Sequence, residues 1–321
     1  MYVPGLVSIV IPCYNSTRYL AETLASVRAQ TYSNWELIAV DDASTDNTAA
    51  LLDAAADAEP RIRVVRRECN GGRPSVTKNT GIAHCRGEFV AFLDHDDRML
   101  PTRLQHLVSL LNGQQDLVAA FANAAYIDES GQRTGVFLTR FLADANQHLD
   151  SLPGTSDVYR SRPDFWIFQL IRYGAMLTAT VVLAPHRMPA LRLGFDESLM
   201  LCEETELWVR VGKTGPIGYL DQIVGEYRIH RNNASGNQLN VHADLVRLLT
   251  LHRQRYRPHL DSRQRRLLTA RLADARANLA WSLRRDGQHT QSAIEYCRAL
   301  AEAPNFKYLP QLLKAWLPVR S

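Results

Sequence analysis

The chain has 321 residues, 46% of them hydrophobic and 22% charged, with a formal net charge of +4. That length can bury a substantial core and fits one large domain with a smaller appendage, in the composition range of ordinary soluble globular proteins. Its five cysteines, Cys13, Cys69, Cys85, Cys202 and Cys297, form no C-x-x-C pair, which argues against a disulfide framework or zinc site and predicts reduced thiols in a cytoplasmic setting.

The opening MYVPGLVSIVIP has no basic segment ahead of its apolar run, which stops at Pro12, so a strand is expected there and not a secretory signal. LVSIVIP (6–12), WELIAVDD (35–42), RIRVV (61–65) and EFVAFLD (88–94) are continuous apolar runs, the type buried on both faces of a parallel sheet. Between them Leu20, Leu24 and Val27 recur at helical spacing, and STDNTAALLDAAADA opens on capping residues, among which we place Asp46 and Thr48. Pro74 stands where a first helical turn accepts it, just after a tight turn expected at Gly71 and Gly72. Strand and helix in alternation mean βαβ units and a parallel sheet wrapped by helices.

In such sheets ligands sit beyond the carboxyl ends of the strands. Three of these ends are polar: PCYN (12–15), Asp41 with Asp42, and Asp94, His95, Asp96 and Asp97. Turn chemistry explains any one of them. Carboxylates as crowded as the last group repel one another, so they need either a cation or bulk solvent.

From Asn112 to Arg172 the pattern weakens: LVAAFANAAYIDESGQRTG reads as two strands around a turn at Ser130 and Gly131, and Phe141 to Arg162 has no firm period. Long irregular segments are often functional, and acceptor recognition is expected near here. The apolar stretch AMLTATVVLA (175–184) is far shorter than the roughly 20 residues a membrane span needs. Beyond Asn240 the chain reads as helical, which divides it into 1–240 and 241–321. The second part holds fifteen Lys and Arg against six Asp and Glu, leaving the first 240 residues acidic by five. Such a basic tail is either a solvated helical surface or a contact for an anionic membrane or polyanionic partner. Within it ANLAWSLRRDGQHTQSAIEYCRALAEAPN (277–305) resembles one tetratricopeptide-type hairpin, with Leu279, Gly287, Ala293, Tyr296, Ala299 and Pro304 in matching positions. FKYLPQLLKAWLPVR (306–320) mixes Leu and Trp with Lys and Arg and suits either core packing or a membrane interface.

VSIVIPCYN, ELIAVDDASTDNT, NGGRPSVTKNTGI, FVAFLDHDD and GFDESLMLCEETELWVRV, in this order, resemble the family 2 glycosyltransferases of the GT-A fold over roughly Leu6 to Ser235. The resemblance implies an α/β nucleotide-sugar-binding fold, a mostly parallel Rossmann-like sheet flanked by helices, followed by an all-α C-terminal region. It also implies inverting transfer of a sugar from a nucleoside diphosphate donor, most simply a UDP-sugar, to a hydroxyl of a glycan or lipid-linked acceptor, in bacterial surface polysaccharide synthesis. Nucleic acid is not an expected partner, whereas peripheral membrane contact through the basic helices is. Such chemistry needs the leaving diphosphate neutralised, which Mn2+ or Mg2+ does while taking few protein ligands.

By the same resemblance, Pro12, Tyr14, Asn15 and Asp42 form the nucleotide wall, Tyr14 stacking and Asp42 accepting from a ring N–H. Asp94 lies near the ribose and Asp96 binds the metal. His95 fills the variable position of that motif, and Asp97 supports it or caps a helix. Lys78 replaces the usual Arg and meets phosphate as a point charge without the bidentate fork. Glu204 is the base, on a helical stripe with Leu207, Trp208 and Val211, in a Glu-Glu pair where the family has Glu-Asp. Glu203 and Trp208 are the expected acceptor contacts, and Glu206 is expected to be solvated. His230, in EYRIHRNNAS, completes the metal site, with Arg228 or Arg231 balancing phosphate. The competing reading is a nucleotide-sugar-binding protein without transfer activity whose tail recruits a partner; a dehydrogenase is disfavoured because no G-x-G-x-x-G follows the first strand.

Overall fold

The computed structural model describes residues 2–172, 176–304 and 308–315. Four parallel strands build the N-terminal half: β1 (Val3–Cys13), β2 (Trp35–Asp41), β3 (Ile62–Arg66) and β4 (Gly87–Phe92), joined by helices α1 (Leu20–Arg28), α2 (Thr48–Ala58) and α3 (Pro74–Ile82). β2 is buried along its whole length and β1 from Leu6 onward, as continuous apolar runs require when helices cover both faces. The short β5 (Arg98–Met99) and helix α4 (Arg103–Gly113) lead to β6 (Ala119–Ile127) and β7 (Arg133–Val136). Next come α5 (Phe141–Ala145), β8 (Leu149–Ser151), β9 (Val158–Ser161), α6 (Phe165–Arg172) and β10 (Val181–Leu183). Helix α7 (Glu203–Thr214) and the long strand β11 (Ile217–Arg228) follow.

The sheet order is β3-β2-β1-β4-β10-β6-β11-β9-β8, with β5 on β11 and β7 on β6. β10 runs antiparallel between β4 and β6, so the sheet is mixed. The segment 141–162, aperiodic in sequence, is this helix and hairpin edge: Phe141 and Leu149 are buried, and Phe141 packs on Phe121 and Tyr219 with ring centres 5.7 and 4.7 Å apart. Of 175–184, Ala175 lies outside the described residues and the rest supplies a 3-10 turn and β10. Among the described residues no helix is long and apolar enough to cross a membrane.

The chain divides into two compact units, residues 1–197 with 204–230, and residues 198–203 with 231–321. The division thus falls after His230, ahead of the Asn240 expected from sequence, and it includes a short excursion before α7. Residue 240 lies inside helix α8 (Gln238–Tyr256), which starts where the Asn237 side chain accepts from the Asn240 amide at 3.2 Å. In the same unit α9 (Ser262–Arg285) opens on a capping box between Asp261 and Gln264 and turns at Gly287, φ +77°, into α10 (His289–Glu302). Of 306–320, residues 308–315 hold α11 (Leu309–Lys314), and 306–307 with 316–320, on which an interfacial role rests, lie outside the described residues.

α3 lies tight on the sheet because residue 81 has no side chain. A Cβ there would overlap the Val10 side chain and sit 3.2 Å from Val40 Cγ2. Gly81→Val should therefore lower the unfolding free energy by about 1–3 kcal/mol, read as a lower urea midpoint; an unchanged midpoint would mean α3 is not held against β1 and β2.

Candidate active site

β1, β2 and β4 end side by side. Cys13 is opposite Asp41 in register and Val10 is opposite Phe92, and the ladder extends through Asp42 N–H to Cys13 C=O at 2.9 Å and Leu93 N–H to Val10 C=O at 3.1 Å. The chain therefore leaves the sheet at three adjacent points, and two of the turns are strained: Asn15 and Ala43 have φ of +48° and +57°, a region that costs a residue with a Cβ. Asn15 is compensated by Thr45, whose amide donates to its side-chain oxygen at 2.8 Å.

Tyr14 is exposed, as a stacking residue requires. Pro12 is buried inside β1, paired in register with Val40, and offers no open face. Asp42 is buried, yet its carboxylate already accepts from the Gly71 amide at 3.1 Å and pairs with Arg67 Nε at 2.6 Å. These contacts fold the 67–72 loop over the end of β2, with Gly72 at φ +73°, and leave Asp42 acceptor capacity, since a carboxylate has about four lone-pair sites. Asp46 accepts from the Thr48 amide at 2.9 Å at the start of α2, a capping contact.

The acidic turn follows β4. Asp94 keeps 30% of its side-chain exposure and lies 3.5 Å from Lys78 Nζ, which also donates to Glu204 Oε1 at 2.5 Å. Lys78 is only 1% exposed. It is not a solvated helical lysine; it joins α3 to the carboxylates after β4 and at the start of α7. Burial pushes the Asp94 carboxyl up, Lys78 opposes that, and Glu204 and Asp96 reinforce it. Asn79, next on α3, holds the segment before α7: its side chain accepts from Phe195 N–H at 2.7 Å and donates to Phe195 C=O at 3.0 Å. Sequence reading passed over Asn79; a mid-helix Asn, poor in helix propensity, was the available signal.

Asp96 Oδ2 is 2.9 Å from His230 Nε2, both largely buried, so strand β11 delivers His230 to the turn. Ligands in adjacent positions around an Mg2+-sized ion, about 2.1 Å from it, lie about 3 Å apart, so this pair fits two sites on one hard cation. Among the described residues no group of three or more His, Cys, Asp or Glu could hold a metal, so the remaining positions would fall to phosphate oxygens and water. The His95 carbonyl accepts from Thr23 Oγ1 at 2.8 Å.

Asp97 caps no helix. Buried, it accepts from the Arg228 amide at 2.9 Å, and burial first, then Asp96 and Asp94, push its pKa well above the usual carboxylate range. The Arg228 guanidinium is itself buried: Nε donates to Asp96 C=O at 3.0 Å, Nη2 to Glu22 at 2.7 Å, and its plane covers the Tyr19 ring at 4.4 Å. Arg228 is thus the brace of the turn and not a loose phosphate contact. Behind it Arg103 is fully buried, its pKa pushed down to about 9 by burial with Asp97 opposing.

Glu204 retains 24% exposure beside Lys78. Trp208, one turn on, is 1% exposed and packs toward Phe92 with Leu207 and Val211, which places it in the core and not on an acceptor surface. Glu203 belongs to the second unit and is buried. Glu206, expected in solvent, is 1% exposed and chelated by Arg210 Nε at 2.7 and 2.9 Å, because the first two turns of α7 are buried nearly all round. Arg231 is exposed in the second unit.

The family model for glycosyl transferase family 2 matches residues 8–167. An uncharacterised glycosyltransferase of Rickettsia prowazekii is 28% identical over 250 residues, 76% of this chain and 71% of the relative. The O-antigen biosynthesis protein RfbC of Myxococcus xanthus is 37% identical over 134 residues, 41% of this chain and 10% of that protein. The chain thus spans only part of the length of these relatives, 71% of the first and 10% of the second, and 14% of another. Among solved structures, S. aureus TarS (1–349) superposes with a TM-score of 0.63 at 16% identity, covering 97% of this chain and 90% of that one, and TarS is also known in complex with UDP-GlcNAc. The mannosyltransferase PcManGT of Pyrobaculum calidifontis, in complex with GDP-Man and Mn2+, superposes at 0.57 with 17% identity, covering 96% of this chain and 78% of its own. The helix-flanked mixed sheet matches the architecture of these GT-A structures, and residues 8–167 are similar to the glycosyl transferase family 2 model.

Proposed function

We propose that the chain transfers a glycosyl group, with inversion, from a nucleoside diphosphate sugar to an acceptor hydroxyl. The observation that carries this reading is the convergence of Asp94, Asp96, His230, Lys78 and Glu204 at the carboxyl ends of adjacent strands. Two clusters result, one built to hold a cation and one holding a carboxylate beside it. Mn2+ or Mg2+ bound by Asp96 and His230 would neutralise the charge that develops on the leaving diphosphate.

The chain's own residues do the rest. Tyr14 and Asp42 hold the base of the nucleotide, and Asp94 meets the ribose. The Lys78 ammonium holds Glu204 in place while offering a point charge to phosphate. Glu204 takes the proton of the acceptor hydroxyl as its oxygen attacks the anomeric carbon from the face opposite the leaving group. Fixing both partners at such a site removes most of the orientational cost of the reaction. A UDP-sugar donor is supported by the TarS complex, and the PcManGT complex supports a divalent cation. The RfbC relative, an O-antigen biosynthesis protein, supports a surface polysaccharide as the product; in our reading it is assembled on a glycan or lipid-linked acceptor at the cytoplasmic face of the membrane.

Glu204→Gln is expected to lower transfer by about 10² to 10⁴ in kcat while donor affinity stays within about threefold, read from transfer assays and donor titration; full activity rejects Glu204 as base. Asp96→Ala should abolish the extra thermal stabilisation that Mn2+ adds to a UDP-sugar, in a screen of nucleotide sugars with and without metal. His230→Ala should raise the Mn2+ concentration for half-maximal activity by about 10- to 100-fold. Metal-dependent donor binding with neither hydrolysis nor transfer would instead leave a nucleotide-sugar-binding protein.

A further inference from the structure

The second unit carries its own cleft, lined by none of the residues of the candidate active site. It encloses about 620 Å³ and is lined by Arg253, Gln254, Arg257, Leu260, Arg265, Leu268 and Thr269. That volume lies within the roughly 300–1,000 Å³ of small-molecule sites. Its lining joins two buried leucines, Leu260 and Leu268, to three arginines.

The cations of the lining differ in how far they are satisfied. Arg253 is paired with Glu302 through both terminal nitrogens. Arg257 and Arg265 are exposed and make no side-chain hydrogen bond or ion pair among the described residues. The nearest acid in sequence, Asp261, is committed to capping α9, accepting from the Gln264 amide at 2.8 Å. Residues 253–266 hold six arginines against that single aspartate. Excess cation is stable on a solvated turn, but two guanidiniums without a side-chain partner among the described residues, lining one cleft together with two leucines, offer forked donors suited to a planar or tetrahedral oxyanion.

We propose that this cleft binds a phosphate ester, Arg257 and Arg265 taking its oxygens and Leu260 and Leu268 receiving the carbon attached to it. Arginine suits this better than lysine because its fork meets two oxygens at once and is more weakly hydrated, so less is lost on leaving water. The ester has two sources with one chemistry, a soluble phosphorylated molecule or the headgroup of an anionic lipid. The site does not depend on the transferase reading.

The test uses the full chain, with sn-glycerol 3-phosphate in one arm and vesicles of phosphatidylglycerol mixed with phosphatidylcholine in the other. R257E/R265E is compared with R263E/R266E, which changes the charge equally on the same turn outside the cleft. Circular dichroism and thermal melts confirm that both variants fold. The cleft pair should weaken binding at least about tenfold and the control pair less than about threefold. Titration with glycerol phosphate identifies a soluble ester, and binding to vesicles alone identifies the headgroup. Equal losses in the two variants, or binding by the wild type in neither arm, overturn the proposal.

Discussion

The buried ammonium of Lys78 is the contact on which the site depends. An amine enclosed by protein is strongly penalised unless carboxylates surround it, and here Asp94 and Glu204 reach it from two different elements. Glu204 is 126 positions away in sequence. The penalty therefore acts as a constraint on the fold: α3, the turn after β4 and the start of α7 must meet at one point, or one of them is left with an unpaired charge. Gly81, one helical turn along α3, lets that helix come close enough to the sheet for Lys78 to arrive there.

Around the acidic turn the same economy of charge operates through the backbone. Four consecutive polar residues, three of them acids, are tolerated because each is answered differently. Asp94 has Lys78 and Asp96 has His230, while Asp97 takes an amide N–H from Arg228 and lies against the field of Arg103. Thr23 fastens the carbonyls of His95 and Asp97 to α1. The Arg228 guanidinium has its hydrogen bonds taken by the protein, which braces the turn that carries Asp96. Backbone strain at Asn15 and Ala43, on the neighbouring strand ends, fits the tendency of such conformations to gather where ligands are held.

The second unit is stabilised by other means. Its helices carry many arginines, and several of these are matched in pairs: Arg276 with Glu295 and Glu302, Arg298 with Glu295, Arg253 with Glu302. Small clusters of Ala273, Ala299 and Tyr308, and of Ala280, Tyr296 and Ala315, bring the helices close. Arg257 and Arg265, which line the cleft, have no such partner among the described residues.

The parallel half of the sheet was legible in the sequence because continuous apolar runs between helix-spaced residues admit few other arrangements, and the polar strand ends at Tyr14, Asp42 and Asp94–Asp97 followed from that topology. The insertion of β10 between β4 and β6 was not legible, since a three-residue strand carries no periodicity and its partners lie far along the chain. Nor were the roles of Lys78, Arg228, Trp208 and Glu206. Each was read by residue type, Lys78 and Arg228 as phosphate contacts, Trp208 as an acceptor contact and Glu206 as a solvated acid, whereas burial and partners decide which of these a side chain becomes. Residue identity and order alone determined the chemistry available at the strand ends. Only the packing of α3, α7 and β11 around them decided which charges face one another, because those partners are set by distances that a linear pattern does not contain.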